Sequence, residues 1–202
     1  MNPSEQARQR VLRARASRSV DETLDAYRDW AADYDRDVFE ALGYTGSDRI
    51  ADLLADHTSD PTAPVLDLGC GTGAVGSRLA GLGFTAVDGI DISRAMLEVA
   101  AHKGVYRALL EADLERPLPV STGSYAAAVS AGTFTAGGVG PGVLAEVRRV
   151  LRPGATVAWV IGSWEQFEPL LRDWEVLHLA VEPIRRNGPP EATMVVARAA
   201  AI

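Results

Sequence analysis

A short apolar run that ends in a cluster of glycines constrains the fold of this chain more than any other feature. The run Val65–Leu68 is followed by Gly69–Gly73, which reads Gly-Cys-Gly-Thr-Gly, and apolar residues then recur at helical spacing. Glycines let a backbone approach a ligand closely, and the N-terminus of the following helix presents free N–H groups. This order of strand, glycines and helix predicts a parallel α/β sheet with a ligand site at its edge.

Composition excludes several other classes of protein. The chain has 202 residues, of which 47% are hydrophobic and 23% charged, so a chain disordered throughout is excluded. The single cysteine, Cys70, excludes a disulfide scaffold, and three scattered histidines show no metal-binding spacing. No apolar run reaches the ~20 residues that cross a bilayer, and no signal peptide opens the sequence. We therefore expect a cytoplasmic protein with no metal and no membrane partner.

Charge divides the chain into three segments. Residues 1–20 carry five arginines against one glutamate, which predicts a basic N-terminal segment that forms a frayed helix. Residues 21–60 carry twelve acids against three arginines and predict an acidic helical lid, while residues 61–202 form the ligand-binding domain. Such an acidic face would repel a polyanion within about a Debye length, ~8 Å. We therefore expect the protein to act on a small molecule and not on nucleic acid. We also expect a monomer.

The ligand-binding domain alternates strands with helices, which predicts a parallel sheet covered on both faces. Two closing strands, Trp174–Ile184 and Ala192–Ala199, are separated by only seven residues. A parallel crossover needs a dozen or more, so these two strands are predicted to be antiparallel. The five earlier predicted strands are Val65–Leu68, Phe84–Ile90, Val105–Leu110, Tyr125–Ser130 and Thr156–Ile161.

A second acid follows the second predicted strand. Asp91 lies 22 positions after Gly69, and a carboxylate there can accept hydrogen bonds from both hydroxyls of a ribose. Ile92 and Met96 would then flank an adenine. The glycine cluster and this acid together indicate a nucleoside-containing cofactor.

Two cofactors fit such a loop, a dinucleotide and S-adenosylmethionine. Residues 71–76 also match the dinucleotide pattern G-x-G-x-x-G, so the glycines alone do not decide. Asp67 places a negative charge where a pyrophosphate would lie, and it suits the ammonium group of a methionine better. The only lysine, Lys103, belongs to no Tyr-x-x-x-Lys pair, and the antiparallel closing strands depart from the dinucleotide plan. These features favour S-adenosylmethionine.

Four segments resemble the motifs of class I S-adenosylmethionine-dependent methyltransferases, over roughly residues 21 to 199: Val65–Gly73, Gly89–Leu97, Glu111–Leu114 and Arg148–Gly154. Within that class, Tyr27–Asp35 and Gly132–Thr135 look most like the Williams–Beuren syndrome region methyltransferases. The resemblance implies a Rossmann-like α/β fold with an N-terminal helical extension. Its seven-stranded sheet would be mostly parallel with an antiparallel last strand. It also implies methyl transfer from S-adenosylmethionine to a small molecule by in-line displacement.

The resemblance also implies which residues contact the cofactor. Asp67 would hold the methionine ammonium, Asp113 the adenine amino group, and three aromatic residues of one helix would form an edge over the cofactor. The predicted cofactor contacts are Tyr27, Trp30, Tyr34, Asp67, Gly69, Cys70, Gly71, Gly73, Asp91, Ile92, Met96, Asp113, Leu114, Ser130 and Ala131. Candidates on the acceptor side are Thr133, Phe134, Thr135, Ser163 and Trp164.

No general base can be assigned from the sequence. His57, His102 and His178 have no partner visible in sequence, and each is more typical of a structural histidine. Positioning of the acceptor against the methyl group can supply much of the rate of methyl transfer, because effective molarities of oriented groups reach ~10⁵–10⁸ M. Two other functions stay open. One is an NAD(P)-dependent Rossmann oxidoreductase. The other is a non-catalytic S-adenosylmethionine-binding module, since relatives often carry a histidine where this chain has Gly138.

Overall fold

The computed structural model describes residues 2–17, 19–134, 139–162, 164–186 and 188–200. The helices are α1 (Pro3–Arg15), α2 (Val20–Trp30), α3 (Gly46–Asp56), α4 (Ala74–Gly81), α5 (Arg94–His102), α6 (Leu144–Val150) and α7 (Trp164–Phe167). The strands are β1 (Val65–Leu68), β2 (Val87–Asp91), β3 (Ala108–Glu111), β4 (Tyr125–Phe134), β5 (Leu151–Ile161), β6 (Trp174–Pro183) and β7 (Glu191–Ala199). The candidates Thr135 and Ser163, and also Gly138, lie outside the described residues.

The seven strands form one sheet in the order β3-β2-β1-β4-β5-β7-β6. Strand β7 is antiparallel to both of its neighbours, and every other pairing is parallel. The predicted α/β class, with a mostly parallel sheet and an antiparallel last strand, is confirmed. The carboxyl ends of β1, β2, β3 and β4 therefore lie along one edge, which is where such folds place ligands.

Helices cover both faces of the sheet, as predicted. Successive residues of a strand point to opposite faces, so Leu66 and Leu68 enter one core and Val65 enters the other. The first core includes the apolar face of α6, and the second includes those of α3 and α4. The sheet is thus a rigid layer buried on both sides. No helix among the described ranges is both long enough and apolar enough to span a membrane.

Several element boundaries differ from the sequence-based prediction. Strand β2 begins at Val87, not at Phe84, and β4 continues to Phe134, beyond Ser130. The acidic segment predicted to be helical is not one continuous α-helix. Helix α2 stops at Trp30, and the chain continues as a 3₁₀ turn, Ala31–Asp33, and a π-helical segment, Arg36–Ala41. Tertiary hydrogen bonds to the carboxylate of Asp37 accompany this change.

The basic N-terminal segment, predicted as a frayed helix, forms the packed helix α1. Ala7 is wholly buried. Arg10 pairs with Asp33 at 2.9 Å and with Asp37 at 2.7 Å, and Arg13 pairs with Asp29 at 3.1 Å. The acids that follow in the sequence therefore hold this helix in place. We call residues 3–17 and 19–45 the N-terminal layer.

Candidate functional site

Two adjoining cavities open where β1 and β4 end. The acidic cavity contains Asp91 and Asp113 in its wall, and the aromatic cavity contains Trp30, Phe39 and Tyr44. Seven residues line both cavities, and they come from the N-terminal layer, the glycine loop and β4: Ala14, Tyr27, Tyr34, Gly69, Gly71, Ala131 and Gly132. Two molecules, one in each cavity, would therefore lie next to each other at these shared residues.

The glycine loop forms part of the wall that the two cavities share, and its backbone conformation favours glycine. Gly69 and Gly71 have φ of +66° and +53°, values that residues with a side chain rarely adopt. A Cβ on Gly69 would collide with Thr133, so strand β4 packs directly on the loop there. A Cβ on Gly71 would meet no atom within 4 Å, and Gly71 lines both cavities. A ligand can thus lie directly against the backbone of Gly71.

Asp91 stands in the acidic cavity and is fixed by two backbone N–H groups. The N–H of Gly71 donates to Oδ2 at 2.8 Å, and the N–H of Ser93 donates to Oδ1 at 2.8 Å. Burial raises the pKa of Asp91 above its ordinary value, while these hydrogen bonds act in the opposite direction. A carboxylate oxygen can accept more than one hydrogen bond, so both oxygens can also accept from a diol.

The rest of the acidic cavity fits a flat heterocycle. Ile92 and Met96 lie at the start of α5, and Leu114 follows β3. Asp113 is held in place by the N–H of Glu115, which donates to its Oδ1 at 2.9 Å. Apolar side chains and a fixed carboxylate at the ends of two neighbouring strands are suited to an adenine with its amino group.

Asp67 lies behind the glycine loop and lines neither cavity. It is wholly buried, and the hydroxyl of Tyr106 donates to its Oδ2 at 2.7 Å. Within the described part of the chain, its Oδ1 has no side-chain hydrogen-bond partner, and burial raises its pKa to about 7. In this geometry Asp67 supports the loop from behind, and its contact with a methionine ammonium stays a prediction.

Tyr106 is a residue of the site that sequence reasoning missed. Its hydroxyl also accepts from the N–H of Gly76 at 3.2 Å, so it joins α4 to Asp67. A Cβ on Gly73 would come within 2.9 Å of the Tyr106 ring, and a Cβ on Gly76 would collide with it. Gly73 therefore makes room for Tyr106 and not for a ligand. A glycine inside α4, where alanine is the better helix former, was the available signal.

The aromatic cavity takes much of its wall from the N-terminal layer. The rings of Tyr27 and Trp30 stack, with 6.4 Å between their centroids and 3° between their planes. The ring centroid of Tyr34 lies 4.7 Å from that of Trp30. The indole N–H of Trp30 donates to Oδ2 of Asp37 at 2.9 Å, which fixes the ring. The buried thiol of Cys70 lies in the opposite wall. This cavity suits a flat, largely apolar group.

Comparisons with known proteins agree with this geometry. The family model for the methyltransferase domain matches residues 65–154. Human methyltransferase-like protein 27 is 34% identical over 155 residues, which cover 75% of this chain and 62% of that protein. The chain thus spans less than two thirds of this relative's length. Residues 65–154 match a methyltransferase domain.

The fold of the methyltransferase domain extends over nearly the whole chain. The crystal structure of the [4+2]-cyclase SpnF superposes with a TM-score of 0.72 at 19% identity, and the match covers 91% of this chain and 97% of that one. The resemblance to class I S-adenosylmethionine-dependent methyltransferases is confirmed. S-adenosylmethionine is the cofactor of this class, and the open backbone at Gly71 beside Asp91 fits it.

One relative corrects the expected partners of the methyltransferase domain. Yeast 18S rRNA (guanine(1575)-N(7))-methyltransferase is 33% identical over 99 residues, which cover 45% of this chain and 36% of that protein. By its name it acts on RNA, so the expectation of a small-molecule acceptor and no nucleic acid was wrong. The charge argument behind it also fails, because arginines of α1 pair with carboxylates of the acidic segment.

Besides Asp67 and Gly73, three described candidates line neither of the two cavities. Ser130 is wholly buried, and its hydroxyl donates to the carbonyl of Leu68 at 2.7 Å. Phe134 packs in the core, with its ring centroid 5.6 Å from that of Trp159. Trp164 lines a separate groove beside β6 and β7. Among the acceptor-side candidates that the structure describes, Thr133 is the one that lines either of these two cavities.

The N-terminal layer is joined to the glycine loop through Asp35. The hydroxyl of Thr72 donates to Oδ1 of Asp35, and the ammonium of Lys103 lies 2.7 Å from Oδ2. Thr72 belongs to the loop and Lys103 follows α5, so one carboxylate connects three parts of the site.

Proposed function

We propose that this chain transfers a methyl group from S-adenosylmethionine to an acceptor whose reacting part is flat and largely apolar. The observation that carries the proposal is the meeting of the two cavities at Gly69 and Gly71. When bound, S-adenosylmethionine supplies a methyl group on a positively charged sulfur, which an acceptor lone pair can attack in line. The acceptor would occupy the aromatic cavity.

The residues of the chain would bind and orient both molecules. Asp91 accepts hydrogen bonds from the ribose hydroxyls, and Asp113 and Leu114 face the adenine. The backbone of Gly69 and Gly71 lies along the methionine part of the cofactor. The stacked rings of Tyr27 and Trp30 hold the acceptor plane and exclude water from the reacting atoms. Orientation of this kind can supply roughly 7–11 kcal/mol of the barrier.

The lining of the aromatic cavity favours an acceptor that needs no deprotonation. Within its described lining there is no histidine, aspartate or glutamate. Burial raises the pKa of Tyr27, and that of Tyr44 to about 12, so these phenols stay protonated near neutral pH. We infer that the acceptor atom carries a free lone pair, as in an unprotonated amine or a ring nitrogen.

Calorimetric titration with S-adenosylhomocysteine tests the cofactor half of this proposal. Asp91→Ala should weaken binding about 100-fold, since a charged hydrogen-bonding partner contributes about 1.5–3 kcal/mol. Asp52→Asn is the matched control, because Asp52 pairs with Arg78 and lines neither cavity. Absence of binding heat to the wild type at hundreds of micromolar would refute the proposal, and fluorescence of bound reduced nicotinamide would support an oxidoreductase.

Transfer itself is tested with labelled S-adenosylmethionine. Guanosine, total RNA and a panel of heterocyclic amines are offered as acceptors, and release of S-adenosylhomocysteine is measured. Release that depends on one acceptor class supports transfer and identifies that class. Cofactor binding without release on any acceptor would favour a binding module.

A further inference from the structure

Two charged side chains line the aromatic cavity within the described residues, and both are arginines. Arg15 comes from the last turn of α1, and Arg185 follows β6 in the loop toward β7. Asp91 and Asp113 line the acidic cavity and not this one. Asp35 and Asp37 hydrogen-bond to Thr72 and Trp30 of the lining from behind, and they are paired with Lys103 and Arg10. The aromatic cavity therefore has a positively charged wall in a chain whose net charge is −7.

The backbone fixes Arg185 at this wall. Tyr44 and Arg185 form an antiparallel β-bridge. The N–H of Thr45 donates to the carbonyl of Ile184 at 2.9 Å, and the N–H of Arg186 donates to that of Gly43 at 3.0 Å. The loop after β6 is thus paired with the end of the N-terminal layer. Arg185 is half-buried there, beside an aromatic wall.

The arginines of α1 fall into two groups. Arg10 and Arg13 make ion pairs with acids of the N-terminal layer. Arg8 and Arg15, which lie two turns apart on the same face, make no ion pair with any described residue. Their charges act on Arg185 instead: burial lowers the pKa of the Arg185 guanidinium, and Arg8 and Arg15 lower it further. An anion bound between Arg15 and Arg185 would relieve this repulsion.

We propose that Arg15 and Arg185 bind a carboxylate or phosphate group of the methyl acceptor, whose flat part lies against Tyr27 and Trp30. This inference rests on the proposed function and adds the charge of the acceptor. Guanidinium groups are suited to this task because their N–H donors match the oxygens of both anions in bidentate geometry. The reacting atom then points toward Gly69 and Gly71, at the boundary with the acidic cavity.

The carboxylate of the cofactor's methionine is the other source of such an anion. Arg185 lies with Ile184 and Pro190 on the side formed by the loop after β6, whereas Asp91 and Met96 mark the cofactor side. Neither Arg15 nor Arg185 lines the acidic cavity. This separation favours the acceptor as the source.

Matched probes test the charge of the acceptor. Protein saturated with S-adenosylhomocysteine is titrated with 2-naphthoate, with 2-naphthyl phosphate and with uncharged 2-naphthamide. At least one anion should bind the wild type ten-fold or more tightly than the amide, and the better anion identifies carboxylate or phosphate. In Arg185→Gln and Arg15→Gln the preference should fall to within about three-fold. Arg186→Gln, a change in a neighbouring exposed side chain, should keep it.

The same variants distinguish the two sources of the anion. Their affinity for S-adenosylhomocysteine should stay within three-fold of the wild type, and thermal denaturation checks that they fold. A ten-fold loss of S-adenosylhomocysteine affinity would assign the arginines to the cofactor and overturn the inference. Equal binding of the three probes, or binding of neither anion at millimolar concentration, would also overturn it. A wild type that binds no S-adenosylhomocysteine but still prefers the anions would refute the proposed function alone.

Discussion

The acidic cavity and the aromatic cavity share a wall but are built in different ways. Much of the acidic cavity comes from residues directly after β1, β2 and β3, so short stretches of sequence define it. The aromatic cavity takes its far wall from α1, α2 and the loop after β6, which are distant in sequence. An ion pair between Arg10 and Asp37, and backbone hydrogen bonds between residues 43–45 and the loop after β6, hold those parts together. The first cavity is a property of the sheet, whereas the second depends on docking of the N-terminal layer.

This difference agrees with the two roles proposed for the cavities. A wall fixed by strand ends suits a ligand that is the same in every reaction, the cofactor. A wall assembled from separate segments can vary without disturbing the sheet, and it suits the acceptor. Damage to the loop should therefore affect the whole domain, while damage to the N-terminal layer should leave the sheet folded.

The largest effect is expected at the shared loop. Gly69→Ala introduces a Cβ that collides with Thr133 at a positive φ, and we expect the free energy of unfolding to fall by about 3 kcal/mol. Gly71→Ala has positive φ but open space around its Cβ, so a loss of about 1 kcal/mol is expected. Urea denaturation measures both. Equal losses would show that Thr133 moves aside without cost.

A second effect is expected behind the loop, and it accumulates gradually with pH. The carboxyl of Asp67 has a pKa of about 7 in the folded protein, well above its ordinary value near 4. The folded state therefore loses stability as the pH rises from about 4 to 7, and above 7 the loss is constant. Asp67→Asn removes this contribution.

Denaturation of wild type and Asp67→Asn across this pH range measures the contribution. The difference in their free energies of unfolding should change by about 1 kcal/mol per pH unit between pH 4 and 7. Tyr106→Phe, which keeps the ring but removes the hydrogen bond to Asp67, should destabilise the protein most above pH 7. A pH-independent difference between Asp67→Asn and wild type would contradict the assignment.

The smallest effect is expected in the N-terminal layer. Burial alone would raise the pKa of Asp37, but hydrogen bonds from Arg10, Trp30 and Arg36 hold it below its ordinary value. Arg10→Met removes one of these donors from a buried carboxylate and should cost about 1 kcal/mol after solvent screening. Arg13→Met breaks an exposed pair with Asp29 and should have no measurable effect.

Thermal denaturation at low and high salt compares these two variants. The loss in Arg10→Met should shrink little with added salt, because Asp37 is buried. Equal stabilities of the two variants would show that α1 contributes no specific pairing to the aromatic cavity.

The sequence predicted the order of the strands along the chain and the glycine loop beside the acidic cavity because these signals are local. Glycines after a strand, an acid after the next strand and a seven-residue gap each limit the backbone within a few residues. Arg185 could not be found in this way, because its partners lie far along the chain, and the glycine inside α4 was the available signal for Tyr106. Phe134 shows the same limit at short range: β4 continues past Ser130, and its last residue turns into the core.

The position of Lys103 has an analytical consequence. It is the only lysine in the 202 residues, its side chain is 24% exposed, and it pairs with Asp35 of the N-terminal layer. An amine-reactive reagent would therefore modify one side chain of the protein. Comparison of the labelling rate between the wild type and Asp35→Asn, followed by mass spectrometry, would measure how far this ion pair protects Lys103.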